Sequence, residues 1–124
     1  MKITLADREA QLMQILWEKG SSTVAEVREY LADVLAYTTV LTILRNLESK
    51  GYVGHEEDGK AYRYAALIEQ EAAQHSAIGD LTRKLFSGSS TLLLTQLVSD
   101  KSLTRADIRR IRQLLDNAKA RGKS

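Results

Sequence analysis

The residues best suited to chemistry lie on one face of the segment from Ala36 to Gly51. At 3.6 residues per turn, short hydroxyls, one amide and one guanidinium collect on a single side of this segment. The members of this polar face are Thr38, Thr39, Thr42, Arg45, Asn46 and Ser49. None of them is acidic, whereas a solvated helix face is usually rich in Glu and Lys. The DNA major groove offers hydrogen-bond acceptors and thymine methyl groups to such side chains, so the face favours contact with DNA.

The opposite face of the same segment is apolar and predicts burial. Val40, Leu44 and Leu47 lie within about one sixth of a turn of each other, at roughly 100° per residue. An ordinary amphipathic helix would carry a similar stripe, so the segment by itself leaves both interpretations open. The order of the neighbouring elements favours the first.

Other chemistry finds little support along the chain. There is no cysteine, and His55 and His75 fall on different predicted elements without the spacing of metal ligands. His55 and the acidic residues 56–58 could form a metal site, but solvated strand residues explain that cluster better. The glycines are isolated, and no pair of carboxylates lies on an apolar helix face. We therefore expect no metal, no cofactor and no enzymatic activity.

Two helices are predicted before the polar segment. The first runs from about Ala6 to Lys19 and ends at Gly20. Thr23 and Glu26 have the spacing of a capping box, which predicts the start of a second helix. That helix is expected to end near residues 33–35, so that a turn of about three or four residues leads into the third helix. This order is typical of a helix-turn-helix.

A β-hairpin is predicted directly after the third helix. Gly51 ends the helix, and two alternating segments, Tyr52–Glu56 and Ala61–Ala65, flank an Asp58-Gly59 turn. Three helices followed by a two-stranded hairpin form a winged helix. The fold class is therefore mainly α with a small β-hairpin, which strengthens the DNA interpretation of the third helix.

The second half of the chain is predicted to consist of three helices that need a partner. They extend from Leu67 or Ile68 to Phe86, from Thr91 to Val98 with Ser90 as the cap, and onward from a Thr104–Asp107 cap. The middle helix is apolar on nearly every side, so it must be buried, and a twofold homodimer is the simplest way to bury it. The expected dimer contacts are Ile78, Leu81, Leu85, Phe86, Leu93, Leu94, Leu97, Ile108, Ile111 and Leu115.

Length and charge set the remaining bounds. The 124 residues suffice for one small domain, residues 1–66, with an appended dimerisation region, residues 67–124. The first region has 8 basic and 10 acidic residues, net −2, and the second has 10 and 6, net +4. No apolar run is long enough to cross a membrane, and the N-terminus lacks the features of a signal peptide, which predicts a cytoplasmic protein.

The chain resembles the penicillinase repressor family, which includes the BlaI/MecI group and a copper-sensing branch. The resemblance rests on Leu16-Trp17, Thr39-Val40, Leu47-Glu48, Lys50-Gly51 and the segment from Gly59 to Tyr62-Arg63-Tyr64. It covers about the first two thirds of the chain strongly. It implies a homodimeric winged-helix transcriptional repressor that binds a palindromic operator in double-stranded DNA.

The resemblance also implies positions for the DNA contacts. The base-reading helix of the family falls on Ala36 to Ser49, with Ala36 and Tyr37 at the point of entry into the groove. Thr39 and Thr42 match positions that commonly carry hydroxyls, and the remaining members of the polar face lie beside them. On the wing, Lys60 and Arg63 are the expected phosphate contacts.

Two departures from the family bear on regulation. The copper-sensing branch carries a C-terminal cysteine cluster, and this chain has no cysteine. In penicillin-responsive members, a membrane-bound sensor protease system leads to cleavage of an Asn-Phe bond, where this chain has Thr95-Gln96. Cleavage at this position is therefore a hypothesis only.

Two alternatives remain open on the sequence. One is a winged-helix module that binds protein and no DNA, which the −2 charge of the first region supports. The other is a winged-helix regulator that responds to a small molecule bound in its second half.

Overall fold

The computed structural model describes residues 1–122 and contains six helices and one three-stranded sheet. In chain order, the elements are α1 (Asp7–Lys19), β1 (Ser22–Thr23), α2 (Val24–Tyr30), α3 (Tyr37–Ser49), β2 (Val53–Asp58), β3 (Ala61–Ala66), α4 (Gln70–Leu85), α5 (Ser90–Ser99) and α6 (Arg105–Arg121). This arrangement confirms the predicted mainly-α winged helix. Within the described residues, no helix combines the length and apolarity needed to cross a bilayer.

The chain divides into two compact units, Met1–Ile78 and a second that begins at Gly79. The boundary lies twelve residues beyond the functional division expected at residue 66. The start of α4 belongs to the first unit because Ala73 is buried there and the Ile3 N–H donates to Ser76 Oγ over 2.8 Å. The assignment of DNA binding and dimerisation to the two regions stays a prediction.

The first unit has a continuous apolar core drawn from α1, α2, α3, β2, β3 and the start of α4. Leu12 and Leu16 of α1, Val27 of α2 and the apolar face of α3 are almost fully buried. Tyr64 of β3 joins them with 1% of its surface exposed. Each such side chain stabilises the fold by about 1.5–3 kcal/mol through burial, so the core holds α3 with its polar face outward.

The sheet has the order β1-β3-β2, and all its pairs are antiparallel. β2 and β3 form the predicted hairpin, with His55 opposite Tyr64 and Gly59 at a φ of +65° in the turn. The third strand, β1, pairs Ser22 with Tyr64 and was not predicted. A strand of two residues is too short to show an alternating sequence pattern. It forms here because β3 lies alongside it.

The segment between α2 and α3 is longer than expected. Helix α2 ends at Tyr30, not near residues 33–35, so six residues join it to α3 rather than three or four. Leu31 is already extended, at φ −73° and ψ 140°. Tertiary contacts hold the connection, since the Arg8 guanidinium binds the Asp33 carboxylate, with 2.9 Å between Nη1 and Oδ1, and Arg28 Nε donates to Leu35 O over 3.0 Å.

Local caps agree well with the sequence, with one correction. Thr23 and Glu26 form the predicted capping box of α2, and Thr104 and Asp107 form that of α6. The cap of α5 is Ser89, not Ser90, because Ser89 Oγ accepts the Leu92 N–H over 3.2 Å. Helix α5 therefore starts one residue earlier than predicted.

Candidate nucleic-acid interface

Helix α3 separates its two faces as its sequence predicts. Val40, Leu44 and Leu47 are completely buried in the core of the first unit. The other face is exposed along its whole length and carries Ala36, Tyr37, Thr38, Thr39, Thr42, Arg45, Asn46 and Ser49. The structure therefore brings all eight of these predicted DNA-contact positions onto one accessible surface, which we call the α3 polar face.

The polar groups of this face are largely available to a partner. Within residues 1–122, the Arg45 guanidinium forms no hydrogen bond and no ion pair. Thr42 differs, because its Oγ1 donates to Thr38 O over 2.8 Å. Thr42 consequently offers a partner its methyl group and a hydroxyl lone pair, but no donor.

The beginning of α3 is electrostatically suited to an anion. No acidic residue occurs in its first turn. Ala36 precedes the helix in an extended conformation and provides no side-chain cap. The positive end of the helix dipole is therefore not neutralised by the helix itself, and phosphate can approach it without repulsion from a local carboxylate.

The two wing residues predicted to bind phosphate have different environments. Lys60 is exposed at the hairpin turn and makes no ion pair within the described residues. Arg63 is already engaged: its Nη1 lies 3.0 Å from Glu26 Oε1 and from Ser21 O, and its Nε lies 3.1 Å from Asp58 Oδ2. These partners tie the wing to the start of α2, so phosphate would have to compete with two carboxylates for Arg63.

Two polar side-chain contacts hold α3 against neighbouring elements, and the sequence did not indicate either. His55 Nδ1 of β2 lies 2.6 Å from Glu48 Oε2 near the end of α3, and the His55 ring packs against Tyr62 with 4.5 Å between ring centroids. Lys50 Nζ, just after α3, lies 2.7 Å from Glu9 Oε1 of α1. Each pair joins residues far apart in sequence or on different elements, where periodicity gives no signal.

The carboxylate of Glu9 is the most buried charge of this set, with 7% of the residue exposed. Burial raises its pKa, but the hydrogen bond from Lys50, the Ala6 N–H at 2.9 Å and the charge of Lys50 together lower that pKa below its ordinary value of 4.5. A carboxyl with a lowered pKa in the folded state stabilises the fold at neutral pH. That contribution disappears as the pH falls through the folded-state pKa.

We expect Glu9→Gln to reduce the free energy of unfolding by about 1 kcal/mol at neutral pH, because a charged hydrogen bond becomes a neutral one. Urea unfolding from pH about 7 down to about 3 measures this effect, and the difference from the unchanged protein should shrink as the pH falls. Glu29→Gln is the control, since Glu29 is exposed and forms no ion pair in the described chain. An equal loss of stability at every pH would contradict the assignment.

The second unit has no apolar core of its own within residues 79–122, where no apolar side chain is buried. Leu85 is 73% exposed and Leu97 is 48% exposed. The ten predicted dimer contacts are all accessible in the single chain: Ile78, Leu81, Leu85, Leu94, Leu97, Ile108 and Leu115 are exposed, and Phe86, Leu93 and Ile111 are half-buried. A single chain therefore leaves the apolar side chains of α5 accessible, although a helix this apolar is expected to be buried.

The Thr95-Gln96 bond lies in the middle of α5 and is held by helical hydrogen bonds. Thr95 Oγ1 donates to Thr91 O over 2.8 Å, and Ser99 Oγ donates to the carbonyl of Thr95 over the same distance. Both residues are exposed in the single chain. A protease would need local unwinding of α5 to reach this bond.

Comparison with known proteins agrees with this geometry. A family model described as the penicillinase repressor matches residues 5–117. The transcriptional regulator BlaI of Mycobacterium tuberculosis is 34% identical over 107 residues, which cover 83% of this chain and 78% of BlaI. The methicillin resistance regulatory protein MecI of Staphylococcus aureus is 21% identical over 114 residues, 90% of this chain and 93% of MecI.

A similar fold is found among solved structures of proteins with low sequence identity to this chain. A MarR family protein from Bacillus stearothermophilus superimposes with a TM-score of 0.56 at 20% sequence identity. The match covers 98% of this chain and 78% of that protein. At this level of identity, the likeness concerns the fold alone.

Proposed function

This chain belongs to the penicillinase repressor family, and from that premise we propose that it acts as a homodimer on a palindromic operator. The family membership confirms the resemblance noted in the sequence. The protein is a DNA-binding transcriptional repressor and not an enzyme.

The proposal rests on the exposure and the composition of the α3 polar face. This face is exposed over its whole length, contains no acid, and includes an arginine without an internal partner in the described chain. We propose that this face enters the major groove, with Ala36 and Tyr37 at the point of entry and Lys60 on a phosphate of the adjacent backbone. The threonine methyl groups and the Arg45 guanidinium would then read base edges.

The exposed apolar surface of the second unit supports the homodimer. Leu81, Leu94 and Leu97 are each more than a third exposed, and no apolar side chain of residues 79–122 is buried. Pairing two such surfaces around a twofold axis would bury them and would place two α3 helices on two half-sites. We accordingly propose a dimer that operates in the cytoplasm, where the DNA is.

Binding to selected DNA tests the proposal. The full chain should enrich a palindromic sequence from random duplexes. Its affinity for that sequence should fall by orders of magnitude between about 50 mM and about 200 mM salt, because phosphate contacts release counterions. A scrambled duplex of equal length is the control. Equal and weak binding to both duplexes would instead favour a protein-binding module.

Release from DNA is the finer part of the proposal. We infer that any event that breaks the dimer lowers operator occupancy, and that cleavage near Thr95-Gln96 by a partner sensor protease is one such event. Both residues lie in α5, the helix that we place in the dimer interface, so a cut there would break the dimer. Incubation of the protein with its activated cognate membrane protease should produce a cut within α5, which mass spectrometry would locate. A chain that stays intact under these conditions would refute cleavage in α5.

A further inference from the structure

The two units of this chain carry opposite charge. Residues 1–78 contain 8 basic and 12 acidic side chains, net −4, whereas residues 79–124 contain 10 basic and 4 acidic side chains, net +6. The unit that presents the α3 polar face is therefore repelled by DNA at long range. Apart from local contacts such as Lys60, the long-range attraction to phosphate is therefore expected from the second unit.

The positive charge of the second unit is concentrated on α6. Arg105, Arg109 and Arg112 are spaced four and three residues apart, so they lie on one face of this helix. All three are exposed, and none forms an ion pair within the described residues. We call these three residues the α6 arginine stripe.

The acids nearest to the stripe do not cancel it. Asp107 is occupied by the helix cap, where its Oδ2 accepts the Thr104 N–H over 2.9 Å and its own N–H donates to Thr104 Oγ1. Asp116 lies on the same face one turn beyond the stripe, and Lys119 follows it. The face from Arg105 to Lys119 thus keeps a net charge of +3, from four cations and one acid.

Resting on the proposed DNA binding, we propose that the α6 arginine stripe is a second, sequence-independent contact to the phosphate backbone of duplex DNA. The stripe extends about 10 Å along the helix axis, at 1.5 Å per residue. One strand of B-DNA places a phosphate every 3.4 Å along its axis, so a stripe of this length matches about three phosphates. Arginine also suits the task because its planar fork binds phosphate oxygens in pairs.

The stripe leaves the apolar side of α6 available for dimerisation. Ile108, Ile111 and Leu115 lie on a neighbouring face of the same helix, so the two contacts use different side chains. The stripe supplies affinity for any duplex, and α3 supplies the preference for the operator. The same division separates phosphate contacts from base contacts in nucleic-acid recognition generally.

The test compares two triple variants of the full chain that lose the same charge. R105Q/R109Q/R112Q removes the stripe, whereas R83Q/K84Q/K101Q removes three cations elsewhere in the second unit, including the two that pair with Asp80. We expect the stripe variant to show a shallower plot of log affinity against log salt, by roughly 2.7 for each protomer and thus roughly 5.4 for the dimer, on scrambled and selected duplexes alike. The control variant should keep the slope of the unchanged protein.

Further arms make each outcome decisive. R105K/R109K/R112K keeps the charge and should keep the slope, which ties the change of slope to the charge of the stripe. Equal slopes for the stripe variant and the control variant would overturn the proposal while leaving operator binding intact. Failure of the unchanged protein to bind any duplex would instead overturn the proposed function, so the two failures are distinguishable.

Discussion

Leu94→Asp is expected to lower the affinity for the selected operator by about two to four orders of magnitude. Leu94 lies in the middle of α5, where none of the side chains is buried by the chain itself. A carboxylate at this position would have to be buried in the proposed dimer interface, which is costly without a partner. Loss of the dimer removes the second DNA-binding head, and with it the gain in effective concentration.

Three measurements check this result. Fluorescence anisotropy with a labelled operator gives the affinity, and sedimentation velocity gives the oligomeric state. The single tryptophan, Trp17, reports on the first unit because its Nε1 donates to Ile68 O over 2.9 Å, so its emission should stay unchanged.

Leu67→Asp is the matched control for Leu94→Asp. It makes the same chemical change at a residue of the first unit that is 66% exposed, and its N–H bond to Tyr52 O is made by the backbone. We expect it to bind the operator as the unchanged protein does. If Leu94→Asp remains dimeric and binds normally, the interface lies elsewhere.

Arg45→Ala is expected to weaken operator binding by about 1–3 kcal/mol at each half-site, or roughly 5- to 150-fold for each, with a much smaller loss on scrambled DNA. Arg45 is exposed on the α3 polar face and has no internal partner in the described chain, so its guanidinium is available for base edges. Competition between operator and scrambled duplexes at one salt concentration measures the ratio directly.

Lys60→Ala provides the contrast for Arg45→Ala. Lys60 lies on the wing turn, and loss of one phosphate contact from each protomer should weaken binding to both duplexes equally and reduce the salt slope of the dimer by about two. An unchanged operator preference in Arg45→Ala would contradict base reading by this residue. A uniform loss in that variant would place Arg45 on the phosphates.

Features set by neighbours within a few residues of each other could be predicted from the sequence. The apolar spacing of Val40, Leu44 and Leu47 predicted which face of α3 is buried, and all three are completely buried. The capping box at Thr23 and the Asp58-Gly59 hairpin were predicted for the same reason. In each case, the residues that interact are close in the chain, so their pattern can be recognised in the sequence.

Features that depend on distant partners could not be predicted in this way. Arg63 was predicted to contact phosphate, and nothing in the sequence indicated that the folded chain would pair it with Glu26, 37 residues away. The pair of Lys50 and Glu9 spans 41 residues. Strand β1 exists only because β3 lies alongside it.

The sequence by itself determined the order of the helices and the hairpin, the buried and polar faces of α3, and the need of α5 for a partner. Only the tertiary structure decided which charged groups of the site are already engaged and which remain available to a ligand. The physical reason is range: periodicity, caps and turns act over three or four residues, whereas ion pairs and strand pairing are set by which elements the core brings together.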